Sequence, residues 1–111
     1  IVYGDGSVVR DFIYIDDAVR GILQIAEGES PHQIFNLGCG YGTSIHDVLL
    51  EIEKALDLSL NITYKEGRKV DVPVNYLDIS RYEQYYGSLD PIPLREGILK
   101  TAQFMKEYYK I

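Results

Sequence analysis

Two groups of residues in this chain have types and spacings that could do chemistry: a cluster of glycines, and two arginines with carboxylates close by. The glycines are Gly38, Gly40 and Gly42, in the stretch Asn36-Leu37-Gly38-Cys39-Gly40-Tyr41-Gly42-Thr43 between a strand-like and a helix-like run. Bare backbone N–H groups at such a strand–turn–helix junction can bind a pyrophosphate. The spacing is G-x-G-x-G, however, and Thr43 stands where the dinucleotide fingerprint needs its third glycine for close helix packing. The competing reading is that these glycines permit positive φ and a close approach of strand and helix. The arginines are Arg10, beside Asp11, and Arg68, three positions before Asp71. A guanidinium grips the oxygens of a diphosphate with two parallel donors and stays charged at any working pH. Taken alone, surface ion pairs with Asp11 and Asp71 are the simpler reading of both.

The 111 residues are enough for one domain with a modest core, spanning 1–111, and short for a complete two-site enzyme. Ile1-Val2-Tyr3-Gly4 has neither an initiator Met nor a signal-like segment, so a segment of a longer chain is expected. With 46% hydrophobic and 25% charged residues the composition is that of a globular domain, and no apolar run approaches a membrane span. A formal net charge of −6 disfavours a nucleic-acid-coating surface, while leaving room for a local basic pocket for one small anion. The lone cysteine, Cys39, precludes an internal disulfide and fits a reducing cytoplasm; with His32 and His46 it is too little for a metal site.

The elements that must position these residues alternate between strand and helix. Phe12–Ile15 reads as a strand, and Asp16-Asp17 as the cap of a helix to about Glu27 with Val19, Ile22, Leu23 and Ala26 on its buried face. Ile34–Leu37 is a second strand. A helix from Ser44 to about Leu56 follows the glycines, with Ile45, Val48, Leu49, Ile52 and Leu56 as its stripe and Ser44/Asp47 approximating a capping box. Leu60–Tyr64 alternates as a third strand, and a polar loop runs from Glu66 to Pro73. Ser80-x-x-Glu83 is a capping box for a short helix closed by Gly87, and Leu94 to about Tyr109 is a last amphipathic helix. This predicts a small α/β or α+β unit with a short-stranded sheet and about four helices.

Over six residues, Leu37–Gly42 resembles the first motif of the S-adenosylmethionine methyltransferases, for which Glu66 could supply the ribose-holding acid. Three motifs in order point elsewhere. Tyr3-Gly4-Asp5-Gly6, then Arg10-Asp11-Phe12 and Asp16-Asp17, is the first; Asn36-Leu37-Gly38-x-Gly40 with Ser44-Ile45 is the second; Arg68-Lys69-Val70-Asp71-Val72-Pro73 is the third. Together they resemble the C-terminal part of the NAD-dependent epimerase/dehydratase family, the extended short-chain dehydrogenases, with UDP-glucose 4-epimerase as the nearest general likeness.

That resemblance implies roles. The equivalents of Arg10 and Arg68 contact the nucleotide diphosphate, the equivalent of Asp71 lies beside the ribose, and Tyr3 sits where the family lines the base pocket. It implies a nucleotide-sugar substrate, a parent acting through a transient keto sugar with NAD, and a parent compatible with a homodimer. No tyrosine here has Lys four positions later and no G-x-x-G-x-x-G appears, so no catalytic or NAD-binding residue is expected in this chain, nor bound NAD. Both would belong to an N-terminal Rossmann portion, and the chain alone is expected to be inactive. Lys69-Val70 replaces a common Pro-Gly, and no Trp precedes Pro91. A methyltransferase fragment and a non-catalytic interaction domain are the alternatives. Tyr82, Tyr85 and Tyr86 are expected to pack, His46 to be exposed, and Cys39 to be a small buried residue.

Overall fold

A computed structural model describes residues 1–111. In chain order the elements are β1 (Val2–Tyr3), β2 (Val9–Arg10), α1 (Ile15–Glu27), β3 (Thr43–Ser44), α2 (Ile45–Leu56), β4 (Tyr64–Lys65), β5 (Val74–Asn75), α3 (Ser80–Tyr86) and α4 (Leu94–Tyr109). This is the small α/β arrangement of four helices and short strands that the alternating pattern predicts. β1 pairs in parallel with β4, while β2 is the centre of a second sheet, antiparallel to β3 and parallel to β5.

The helices follow local chemistry. Ser44 Oγ accepts the Asp47 N–H at 3.0 Å and donates to the Asp47 carboxylate at 2.8 Å, so the expected cap of α2 is formed. The apolar stripe of α2 is half-buried and packs on α4, where Arg95 grips Glu51 through Nε at 2.8 Å and Nη2 at 3.1 Å. α4 spans the residues its periodicity indicates. Gly87 closes α3 at φ 76°, its N–H donating to the Glu83 carbonyl.

Several expectations are corrected. Phe12–Ile15 and Ile34–Leu37 form no strands, and Leu60–Tyr64 contributes only its last residue to a ladder. A strand needs a partner, and nothing in these 111 residues pairs with those runs; Val9–Arg10 and Val74–Asn75 pair instead. Asp16 and Asp17 lie inside the first turn of α1 rather than capping it, the N-cap being Tyr14. The Ser80/Glu83 capping box is likewise unformed, because Ser80 is already helical and the Asp78 carboxylate accepts the Ser80 N–H at 2.9 Å.

The apolar face of α1 is turned outward. Val19, Ile22 and Leu23 are 43%, 57% and 52% exposed, and Ala26 is exposed as well. Asp17 and Gly21 face the interior instead. Periodicity identifies which stripe is apolar but not what covers it. Asp17, 3% exposed, pairs with Arg20 at 3.1 Å and accepts the Ile92 N–H at 2.9 Å, while Arg20 donates to the Leu89 carbonyl, tying α1 to the segment before α4. Tyr82 is buried as expected, its hydroxyl donating to Gln24 Oε1 and its ring packing on Tyr86, with Phe35 and Tyr85 beside it. No helix is long and apolar enough to cross a membrane.

Candidate functional site

The parallel β1–β4 pairing brings the start of the chain beside the loop of residues 66–73. Val2 N donates to the Thr63 carbonyl and Gly4 N to the Lys65 carbonyl, both at 2.8 Å. Gly4, at φ 82°, and Gly67 then approach closely, a Cβ on Gly67 meeting the Gly4 Cα at 3.6 Å. This seats the Arg68 guanidinium 4.9 Å above the centre of the Tyr3 ring, within the range of a cation–π contact.

Arg68 also forms the two-pronged ion pair that its spacing from Asp71 permits: Nε donates to Oδ2 at 2.9 Å and Nη2 to Oδ1 at 3.0 Å. The hydrogen bond with Asp71 chiefly, and its charge, hold the guanidinium even more firmly protonated than usual. Arg68 is 58% exposed, and its Nη1 donates to nothing in the chain. Arg10 reaches the same loop from β2, Nη1 donating to the Val72 carbonyl at 2.7 Å and to its own Val9 carbonyl at 2.8 Å. Val9 N donates to the Pro73 carbonyl at 2.9 Å, fixing the far end of the loop.

Of the four residues expected at a site, Tyr3, Arg68 and Asp71 are therefore in contact, and Arg10 grips the backbone next to Asp71. Arg10 makes no ion pair with Asp11. The arrangement presents cationic donors beside an aromatic face, a combination suited to a charged group joined to a planar ring. It contains no nucleophile–base pair, and no group of three or more His, Cys, Asp or Glu could hold a metal ion.

The residue that sequence reasoning missed is Asp11. Its carboxylate accepts N–H groups from Cys39 at 2.8 Å, Gly40 at 3.1 Å and Leu77 at 3.3 Å. Burial would raise its carboxyl, but these bonds and the Cys39 thiol outweigh that and leave it below the ordinary value. The glycine turn is wrapped around this carboxylate. A Cβ on Gly38 would lie 2.7 Å from Asp11 Oδ2, one on Gly42 would run into Val9 Cγ1, and Gly40 needs its φ of 85°. The turn's N–H groups at Cys39 and Gly40 are thus taken by a side chain of the chain itself. Cys39 is half-buried and its Sγ donates to the Tyr41 carbonyl at 3.3 Å; burial first, and Asp11 beside it, push its thiol up, away from a reactive thiolate.

Residues 1–38 match the NAD dependent epimerase/dehydratase family. The chain is 32% identical over 107 residues to a UDP-glucuronate 4-epimerase of Thermodesulfobacterium geofontis, covering 96% of this chain and 33% of that protein. The UDP-glucose 4-epimerase of Thermotoga maritima, solved with UDP-glucose, superposes with a TM-score of 0.85 at 30% identity, over 97% of this chain and 35% of that one. The Bifidobacterium longum UDP-glucose 4-epimerase, solved with NAD+ and UDP, gives 0.85 at 25% identity over 96% and 34%. The chain spans about a third of the length of the relatives it matches. Motif order, fold and relatives agree, and the chain belongs to the NAD-dependent epimerase/dehydratase family.

Proposed function

We propose that residues 1–111 form the nucleotide-sugar-binding portion of an NAD-dependent UDP-sugar 4-epimerase. The observation that carries this reading is the Arg68 guanidinium, paired with Asp71 and seated over Tyr3, on a loop that Arg10 grips from β2. In this reading Arg10 and Arg68 contact the diphosphate, Asp71 lies beside the ribose, and Tyr3 lines the base pocket. Relatives solved with UDP-glucose, or with NAD+ and UDP, support the substrate class. In this reading the Cys39 and Gly40 N–H groups serve Asp11, and the cofactor and the chemistry belong to the rest of a fold of which this chain spans about a third.

The surface supports such a remainder. Folded monomers of 12.7 kDa expose about 6,200 Å² by the usual scaling, and this chain exposes 8089 Å². Its radius of gyration is 16.3 Å, against roughly 13 Å for a compact domain of this length. The outward apolar face of α1 and the unpaired runs Phe12–Ile15 and Ile34–Leu37 are the surfaces such a remainder would cover. A reducing, cytoplasmic setting fits the single cysteine.

Calorimetric titration of the complete enzyme with UDP-glucose tests the assignment. Arg68→Ala removes one charge-assisted contact, a loss of about 1.5–3 kcal/mol, and is expected to weaken binding at least tenfold. An unchanged affinity would sink the reading. In an activity assay with NAD and UDP-glucose the 111-residue chain alone is expected to give no turnover.

A further inference from the structure

The loop that carries Arg68 and Asp71 is anchored by ladders of only two residue pairs each, β1 to β4 and β2 to β5. Two pairs are a weak constraint on where a guanidinium points. β2 is the strand against which the second sheet is built, and the residue that follows it is Asp11. Its carboxylate reaches both neighbours of β2. On one side it accepts the N–H groups of Cys39 and Gly40, just ahead of β3; on the other it accepts the N–H of Leu77, just past β5.

The fit is close, since any side chain at Gly38 would meet a carboxylate oxygen. One side chain thus continues both pairings of β2 beyond their backbone bonds. Arg10, the residue before it, holds the Val72 carbonyl in the loop itself. Moving Leu77 shifts β5, and with it Val72 and Asp71, the partner that orients Arg68.

We propose that Asp11 is a positioning residue for nucleotide binding: through Leu77 and the glycine turn it sets the place of the Arg68–Asp71 loop without touching the ligand. The proposal rests on the reading of that loop as the diphosphate site. It predicts an effect on substrate affinity and none on the chemical step. A residue that only stabilised the fold would instead lower the fraction of folded enzyme, reducing apparent kcat at unchanged KM.

The test compares wild type, Asp11→Asn and Arg68→Ala in the complete enzyme, by steady-state kinetics with UDP-glucose and calorimetry with UDP. The asparagine keeps the volume but turns a donor toward N–H groups that need an acceptor. Asp11→Asn is expected to raise KM and the UDP dissociation constant roughly five- to thirtyfold, with kcat within about twofold of wild type. A lowered kcat with unchanged KM, or no change in either, overturns the proposal. If Arg68→Ala also leaves UDP binding unchanged, the diphosphate reading has failed, and the positioning claim with it; if Arg68→Ala weakens binding and Asp11→Asn does not, only the positioning claim falls. Should Asp11→Asn not fold, amide exchange of the wild-type enzyme decides. UDP is then expected to slow exchange at Cys39, Gly40 and Leu77 together, and unchanged rates at all three count against the link.

Discussion

Asp11 shows how much one carboxylate can carry when it accepts several backbone N–H groups. Its folded-state ionisation lies below the ordinary carboxylate value of 3.8, so its contribution to stability is fully present above that value and is lost as the pH falls through the lower, folded one. Thermal melts taken between neutral pH and strong acid should therefore show wild type losing more stability than Asp11→Asn at the acid end, since the asparagine cannot titrate. Parallel losses in the two proteins would show that the carboxylate contributes nothing there. Other acids held low, such as Asp5 and Asp78, each bonded to a nearby serine, are common to both and cancel. At this scale the sequence was readable where partners are close along the chain. The three-residue spacing of Arg68 and Asp71 announces their pair, whereas nothing local connects Asp11 with Leu77 or Tyr3 with Arg68. The Arg10 pairing with Asp11 suggested by adjacency is replaced by a bond to a carbonyl far along the chain.

Among the elements, the helices were legible and the strands were not. α2 carries its own signals in the capping Ser44 and an apolar stripe, and α4 in an apolar stripe that begins directly after Pro93. The Ser44 cap is exposed and local, so Ser44→Ala should cost about 1 kcal/mol and lower the melting temperature by a few degrees without changing the fold. A melt indistinguishable from wild type would mean that water replaces the cap. Strands depend on what lies alongside, and β-branched runs such as Phe12–Ile15 remain unpaired where the chain supplies no neighbour. The reverse holds for Val9–Arg10 and Val74–Asn75, unremarkable in sequence, which become strands because each finds the other.

For the whole molecule, the governing fact is how little of it is interior. Buried apolar side chains reduce to Val2, Tyr82 and Leu89, while an apolar groove of about 480 Å³ lies open between Tyr14, Ile52, Leu56, Ile98 and Met105. The chain alone is therefore expected to enhance the fluorescence of a hydrophobic dye such as ANS at neutral pH, and the complete enzyme to do so far less. Equal, low dye binding by both would show that the exposed faces are covered without the remainder of the fold. The pairings of Val2 with Tyr64 and of Val9 with Val74 also bear on time. Loops that long must close before their contacts return anything, so helices built from neighbouring residues form ahead of them. Tyr3 meets Arg68 only after β1 has found β4, which makes the nucleotide-facing corner a late arrival in folding. A ligand seated there would leave the folding rate untouched and slow the rate of unfolding.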